Sequence, residues 1–375
     1  MQKSIISLFC LLLLSGCSLI PKNETKGVYK SSDKGETFEQ KVKYVEEEKT
    51  LGIVDVLNLT IDPNDHNIIY AGTKGSGLFK STDGGEVWNQ VTKGHNVYAI
   101  AIDRRNSNNL YIGAVFESRG RILRSTDGGE SWESVWEEPA GENFIPAVEV
   151  DYYNPNVIYA GNSNGTIYKS LDRGDKWLNI GQVKGQNAIV KMAIDPQNRN
   201  SIYLRVFEEG IMKIDYTKMI EGKDLEEFEE SEGMENFNIN ESKYALEKPP
   251  IINLSENFPP EADFEDVFSL EVDPKLKDVV YVGTDIGIFK SMDGGVTWGQ
   301  LSTLENPEGI RIRAMAIGGY NSDIIYYTSR GVFYKSFDGG LTWQSTELKI
   351  PHPINDMAID PANPDLIYLG AREFD

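Results

Sequence analysis

The chain is poor in cysteine, in basic residues and in long apolar runs, and each shortage excludes a class of protein. Its two cysteines are Cys10 and Cys17, so beyond residue 17 no disulfide is possible and stability must come from packing. Basic residues number 37 against 58 acidic ones, a formal net charge of -21. Such a surface repels phosphate backbones, and we expect no nucleic-acid partner. The apolar run over residues 5–14 is too short to span a bilayer.

The short motifs of common enzyme classes are also absent. The sequence contains no His-Glu-x-x-His, Walker loop, Gly-x-Ser-x-Gly or Cys-x-x-Cys. Gly72, Gly75 and Gly77 lie close together, but they lack the nucleotide-binding spacing and are predicted to form a turn between strands. We therefore expect no cofactor and no metal held by a known ligand motif.

A pattern that is present, Ser-x-Asp-x-Gly-x-x-(Trp or Phe), occurs six times, and we term each copy a box. The boxes are residues 31–38, 81–88, 125–132, 170–177, 291–298 and 336–343. Their aspartates are Asp33, Asp83, Asp127, Asp172, Asp293 and Asp338, mostly 44 to 50 residues apart. A fixed period of this size indicates a repeat architecture. Asp accepts backbone N–H groups in tight turns and Gly adopts positive φ, so the six aspartates are predicted to be structural. Calcium ligation is the alternative.

A second pattern, apolar-Asp-Pro followed by a bend and an apolar pair with tyrosine, defines seven units. The tyrosines are Tyr70, Tyr111, Tyr159, Tyr203, Tyr281, Tyr326 and Tyr368. The last unit ends at residue 375 without a box, whereas residues 27–38 are a box without a tyrosine half. The sequence therefore predicts an all-β, seven-bladed β-propeller with four-stranded blades, closed by N-terminal strands that complete the C-terminal blade.

The boxes resemble the Asp-box, or BNR repeat, of sialidases, sortilin-type receptors, xyloglucanases and photosystem II assembly factor-like propellers. The resemblance covers residues 27–375 and implies that the boxes lie on outer turns, away from the active face. It implies little about activity, because one fold hosts many functions. The sialidase Arg-Ile-Pro motif is missing, since Ile-Pro here follows Leu19, Phe144 and Lys349.

The N-terminus predicts location. Leu14-Ser15-Gly16-Cys17 resembles the lipobox of bacterial lipoproteins, which implies a signal peptide over residues 1–16, acylation of Cys17 and a lipidated tether over residues 17–26. The alternative is an ordinary secretory signal with an incidental cysteine. The lipoprotein interpretation predicts an extracytoplasmic protein anchored to the outer membrane or cell surface, with residues 27–375 forming the propeller.

An acidic insertion, about residues 216–264, replaces the fourth box and carries four prolines. Its composition indicates a solvated, partly disordered loop with an irregular outer strand near residues 251–254. The alternative is a lid or docking arm over that side of the ring.

Three clusters are candidates for chemistry. Glu149, Lys191 and Glu271 interrupt a column of small residues on the inner strands; they predict a hydrated ion-pair ring in the channel or, alternatively, a carboxylate pair for acid/base work on a glycoside. Asp55, His95 and His352 fall on consecutive blades and could hold a divalent metal. Mixed charge at the channel mouth comes from Asp266, Arg311, Arg313, Glu117, Arg119 and Arg121, and predicts a solvated rim or a binding site.

These observations together favour a membrane-anchored platform without catalysis, which binds a protein or a glycan at the mouth of the channel. Its second partner would be the membrane, through the lipid on Cys17. The alternative is a xyloglucanase- or sialidase-like glycoside hydrolase that uses Glu149 and Glu271.

Overall fold

The computed structural model describes residues 25–45, 49–139, 141–220, 247–260, 262, 266–304 and 309–374. The predicted signal peptide, Cys17 and most of the acidic insertion lie outside these residues. Within the part described, none of the helices combines the length and apolar character that crossing a membrane requires.

Seven antiparallel sheets of four strands follow one another along the chain. The N-terminal strands are β1 (Gly27–Ser31) and β2 (Glu39–Gln40). Blade 1 contains β3 (Val56–Ile61), β4 (Ile69–Thr73), β5 (Gly77–Ser81) and β6 (Asn89–Gln90). Blade 2 contains β7 (Asn96–Ile102), β8 (Leu110–Phe116), β9 (Arg119–Ser125) and β10 (Glu133–Glu137). Blade 3 contains β11 (Ala147–Val150), β12 (Ile158–Gly161), β13 (Thr166–Ser170) and β14 (Leu178–Gln182).

The remaining blades follow the same plan. Blade 4 contains β15 (Ile189–Ile194), β16 (Ser201–Val206), β17 (Gly210–Asp215) and β18 (Ile251–Asn253), with the short helix α1 (Tyr216–Ile220) after β17. Blade 5 contains β19 (Val267–Val272), β20 (Val280–Thr284), β21 (Ile288–Ser291) and β22 (Gly299–Gln300). Blade 6 contains β23 (Met315–Ile317), β24 (Ile325–Ser329), β25 (Val332–Ser336) and β26 (Gln344–Glu347). Blade 7 adds β27 (Ile354–Ile359) and β28 (Ile367–Ala371).

The ring closes through the two ends of the chain. Strand β1 pairs with β28 over five residues, from Gly27 opposite Ala371 to Ser31 opposite Ile367. The sheet order β2-β1-β28-β27 makes β1 and β2 the outer half of blade 7. The first strands of successive blades lie side by side, and β27 returns to β3. The predicted seven-bladed propeller and its mode of closure are therefore confirmed.

Apolar side chains fill the space between blades. Seven buried clusters form, one between each pair of neighbouring blades. Neighbouring blades approach each other closely at glycines of the second strands. A Cβ added to Gly113, for example, would lie 2.3 Å from the Ile145 carbonyl oxygen of the next blade. Only glycine permits that contact without moving the backbone.

Two faces of the ring follow from this topology. The mouth face carries the loops that lead into the first strands and the turns between second and third strands. The opposite face, which we term the box face, carries the boxes.

Each box is held by its serine as well as by its aspartate. In the second blade the buried Ser125 hydroxyl donates to Asp127 Oδ1 at 2.7 Å and accepts the Gly129 N–H at 2.8 Å. Asp127 Oδ1 also accepts the Ser131 N–H at 2.9 Å. The same three bonds recur in the other five boxes. In blade 6 the Thr342 hydroxyl and N–H lower the pKa of Asp338 to about 2.

Replacing Ser125 by alanine is expected to destabilise the fold by about 1–3 kcal/mol, because the buried Gly129 N–H loses its acceptor. The midpoint of thermal or urea unfolding measures the loss. Ser345→Ala, at an exposed position of β26, is the matched control and should leave the midpoint unchanged. Equal midpoints for the two variants would show that the box serine is dispensable.

The boxes also tie neighbouring blades together. The Gly128 carbonyl oxygen in the box of blade 2 accepts bonds from Tyr70 Oη at 3.0 Å and from Lys80 Nζ at 2.8 Å, both in blade 1. Blade 4 has no box. The lysine of blade 3 that corresponds to Lys80 is Lys169, and its Nζ lies 5.1 Å from the ring centroid of Tyr216 in blade 4. Burial at this site lowers the pKa of Lys169 to about 8.

Candidate functional site

A cavity of about 460 Å³ lies on the ring axis and takes lining residues from all seven blades. The first strands supply its walls, because their small residues leave the axis open. Side chains at the mouth come from the ends of second strands and from the loops that precede first strands. The cavity therefore has an inner region lined by strands and an outer region, at the mouth face, lined by strand ends.

The inner region contains the channel cluster, which we define as Glu149, Lys191, Glu271 and Asp356. Lys191 Nζ lies 2.5 Å from Glu271 Oε1. Asp356 Oδ2 accepts the Leu59 N–H at 2.7 Å. The three residues that the sequence placed on adjoining inner strands thus share one cavity with a further acidic residue, Asp356.

The blades around the channel strongly perturb these charges. Burial raises the pKa of Glu149 to about 7, an effect that Glu271 reinforces and Arg104 and Lys191 oppose. Burial likewise raises the pKa of Asp356 to about 6. For Lys191, burial opposes the charged form, but the nearby carboxylates outweigh it and its pKa is raised.

Water reaches this cluster in spite of its depth. The side chains of Lys191 and Glu271 keep 38% and 26% of their surface accessible, yet seven sheets surround them and limit solvent screening. At neutral pH Lys191 is therefore charged, whereas the raised pKa of Glu149 makes its protonated form much more accessible than in water. A carboxyl group with a pKa near 7 can donate or accept a proton.

Asp356 was missed in the sequence, although a signal for it exists. It stands four residues before the Asp that ends its inner strand, where other units have a small residue such as Ala99, Ala147 or Ala314. The same column contains Lys191. A charged residue in that column marks a side chain that faces the channel.

The outer region contains three arginines, which we term the arginine mouth. Arg205 belongs to β16, Arg313 precedes β23 and Arg372 follows β28, so blades 4, 6 and 7 each contribute one. Arg205 Nη1 donates to the Val267 carbonyl oxygen at 2.9 Å. Of these residues, only Arg313 was predicted as part of the rim.

Phenylalanine rings support the guanidinium groups. The Arg313 guanidinium lies 5.0 Å from the Phe268 centroid and 4.6 Å from that of Phe374. The Arg372 guanidinium lies 4.8 Å from the same Phe374 centroid. Cation–π contacts of this kind fix the planar groups in place without neutralising them.

Asp266, which was predicted as a rim residue, carries a carboxylate whose charge acts on Arg205 and Arg313. Its Oδ1 accepts the Val267 N–H at 2.7 Å. Burial raises the pKa of Asp266 while the Arg205 charge opposes the increase. Arg311, also predicted, lies exposed in the loop before β23 with φ 41°.

The candidate metal ligands have other partners. Asp55 pairs with Lys26 at 3.2 Å, and His352 Nε2 lies 3.0 Å from the Thr25 hydroxyl. His95 stacks on Phe116, with the centroids 4.5 Å apart, and burial lowers its pKa. Among all residues that the structure describes, no three or more His, Cys, Asp or Glu side chains are grouped so that they could hold a metal ion.

The remaining rim residues lie on blade 2. Arg119 and Arg121 pair with Glu137 of β10 at 2.5 Å and 3.2 Å. Glu117 is exposed in the β8–β9 turn with φ 50°. These ion pairs are formed within one blade, whereas the arginine mouth joins three.

The fold and the cavity define a seven-bladed β-propeller with a solvent-accessible axial channel lined by charged side chains. No family model matches the chain. Over 215 residues the chain is 27% identical to the xyloglucanase Xgh74A of Acetivibrio thermocellus, an alignment that covers 47% of this chain and 25% of that protein.

Solved structures show the same fold. The GH74 enzyme of Niastella koreensis matches with a TM-score of 0.64 and 16% identity, covering 85% of this chain and 51% of that one. YCF48 bound to a D1 peptide matches with a TM-score of 0.60 and 14% identity, covering 86% and 93%. The chain therefore spans about half of the GH74 enzyme and a quarter of the xyloglucanase relative, but nearly all of YCF48.

Proposed function

We propose that this chain is an Asp-box propeller on the outside of the cell, acting as a non-catalytic platform that binds a protein or a glycan at its channel mouth. The observation that carries this proposal is the cavity of about 460 Å³ whose outer region is lined by guanidinium groups and phenyl rings. A concave site with apolar walls and a few fixed polar groups is typical of ligand binding. The peptide complex of YCF48, a chain of nearly the same extent, supports the use of such a propeller for binding.

Anchoring by a lipid on Cys17 is the second part of the proposal. Lys26, close to the first described residue, pairs with Glu373 at 2.7 Å, and the neighbouring Phe374 lines the cavity. Lys26, the last residue of the proposed tether, thus lies on the mouth face of the ring. Residues 18–26 reach about 30 Å when fully extended, so the mouth would stay near the membrane and favour a membrane-associated partner.

A photo-reactive amino acid at Phe207 tests binding at the mouth. Phe207 lines the cavity and is 46% exposed. The matched control is Leu341, which is 81% exposed in a box on the other face. Irradiation of cells should yield a cross-linked product from position 207 and none from position 341. Products from position 341 alone would refute the proposal.

The orientation is tested with acylated protein reconstituted in vesicles. A fluorophore on Ser118→Cys, in the β8–β9 turn of the mouth face, should be quenched by headgroup spin labels more strongly than one on Thr82→Cys, in a box. Stronger quenching at position 82 would place the box face toward the membrane.

Glycoside hydrolysis remains the second candidate. It is favoured by the pKa of about 7 for Glu149 beside Glu271 and by the similarity to a xyloglucanase. It is disfavoured because Glu271 is held by Lys191 at 2.5 Å, which makes it a poor base or nucleophile. We expect no turnover of xyloglucan or sialoside oligosaccharides. A rate that disappears in both Glu149→Gln and Glu271→Gln, with the fold intact, would reverse this choice.

A further inference from the structure

Positive charge collects at one end of the channel in a strongly acidic protein. The chain has a formal net charge of -21, yet Arg205, Arg313 and Arg372 of three different blades all line the outer region of the cavity. Since the three positions are distant in sequence, their meeting is a product of the ring and not of a local basic run.

The described residues do not neutralise this charge fully. Asp266 is the carboxylate that influences both Arg205 and Arg313. Burial lowers the pKa of Arg205 to about 10. Burial and the charges of Arg311 and Arg372 lower the pKa of Arg313. The mouth would therefore gain stability from an added anion.

Donor groups are available for such an anion. The Arg372 Nε–H is buried and has no hydrogen-bond partner within the described part of the chain. A guanidinium presents parallel N–H groups that match the two oxygens of a carboxylate. The phenylalanine contacts hold the Arg313 and Arg372 groups in position, so little conformational entropy is lost on binding.

The interior of the channel sets how deep an anion can enter. Glu149, Glu271 and Asp356 lie there against Lys191, with Arg104 acting on Glu149. In the inner region the positive charge of Lys191 is already paired with Glu271, whereas at the mouth an anion meets three guanidinium groups. A bound carboxylate would therefore stay at the arginine mouth.

The aromatic rings favour a peptide over a sugar. Arg313 approaches both Phe268 and Phe374, and Arg372 also approaches Phe374, so these rings already have cationic partners. Phe207 remains 46% exposed at the same mouth and offers apolar contact to a side chain. A ligand for this mouth would therefore carry a carboxylate next to an apolar group, as an acidic peptide does.

We propose that the arginine mouth binds a carboxylate-bearing peptide segment in which an acidic residue adjoins an apolar one. The proposal rests on the proposed function, because it requires that a ligand enter at the channel mouth. Arg313 and Arg372 bind the carboxylate, and Phe207 contacts the apolar neighbour.

Two synthetic probes test this inference, the blocked tripeptides acetyl-Glu-Phe-Glu-amide and acetyl-Gln-Phe-Gln-amide. Titration calorimetry with the folded chain should give binding of the acidic probe and binding of the neutral probe weaker by about tenfold or more. Arg313→Gln should weaken binding of the acidic probe about 10- to 100-fold. Arg372→Gln provides a second variant if Arg313→Gln fails to fold.

Arg173→Gln is the matched control, since Arg173 is exposed in a box on the other face. It should leave the affinity for the acidic probe unchanged. Equal affinities for the two probes, absence of binding, or an acidic-probe affinity that is insensitive to both mouth substitutions would overturn the inference.

An oligogalacturonate is the third probe. If it bound through Arg313 while the acidic peptide did not, the ligand would be an acidic glycan and the peptide proposal would be wrong. Cross-linking from position 207 in the Arg313→Gln background separates the two proposals. A product formed there in undiminished yield would preserve mouth binding while refuting the role of Arg313 in binding a carboxylate.

Discussion

A chain that lacks residues 1–45 is expected to aggregate, whereas one that lacks residues 1–24 should remain a folded monomer. The longer deletion removes β1 and β2 and leaves one edge of β28 unpaired along five residues, while its other edge stays paired with β27. It also removes Val28, which is fully buried between blades 7 and 1. An unpaired strand edge with exposed apolar surface is a template for intermolecular pairing.

Size-exclusion chromatography and the midpoint of thermal unfolding measure this effect. The two deletions form a matched pair, because both remove the N-terminal segment that precedes β1. A soluble monomer of the longer deletion with an unchanged midpoint would show that closure by β1 contributes little to the ring.

The fold could be predicted from the sequence because its determinants are local and repeated. Each tyrosine half and each box recurs at a fixed spacing, and the unmatched halves at the two ends identify the closing blade. Even the outer strand of the interrupted blade was placed near residues 251–254, and it is found at Ile251–Asn253. Because the unit occurs seven times, its strands and turns could be identified by comparing seven copies of one pattern.

The mouth was harder to predict, because its side chains come from irregular backbone. In five blades the pairing of first and second strands shifts near the mouth, for instance between Ile354 and Asp356 and between Val267 and Ser269. Such a bulge breaks the alternation that assigns side chains to a face. Arg372 and Phe374 lie beyond the end of β28, where no strand pattern applies.

Blade order by itself also proved a weak guide to contact. Asp55, His95 and His352 lie on consecutive blades. In the structure, however, Asp55 forms an ion pair with Lys26, and His352 forms a hydrogen bond with Thr25. Lys26 and Thr25 belong to the segment that enters the ring from outside the repeat. A partner outside the repeat cannot be inferred by aligning the repeats.

Replacing Lys191 by methionine is expected to destabilise the protein, and the loss should grow as the pH rises from 5 to 8. The Lys191 ammonium lies 2.5 Å from Glu271, and its charge partly offsets the burial that raises the pKa values of Glu149 and Asp356. Removing one partner of a charge cluster leaves carboxylates uncompensated, at a cost of about 1–3 kcal/mol after allowance for channel water.

The sign of the pH dependence follows from the raised carboxyl pKa values. In the unfolded chain Glu149 and Asp356 have their ordinary pKa values of 4.5 and 3.8, whereas in the folded chain their pKa values are about 7 and about 6. At pH values between the unfolded and folded pKa values, the folded state binds more protons than the unfolded state. The free energy of unfolding therefore falls as the pH rises. Without Lys191 the folded pKa values rise further, and the unfavourable window extends above pH 7.

Urea unfolding at pH 5, 6, 7 and 8 measures this dependence, with Lys349→Met at an exposed position as the matched control. The difference between Lys191→Met and the unmodified chain should be smallest at pH 5 and largest at pH 8, while the control stays flat. Adding Glu271→Gln should restore part of the loss, because it removes one of the uncompensated charges. A pH-independent loss would instead mean that Lys191 contributes through packing of its aliphatic stem, and the electrostatic account of the channel cluster would be wrong.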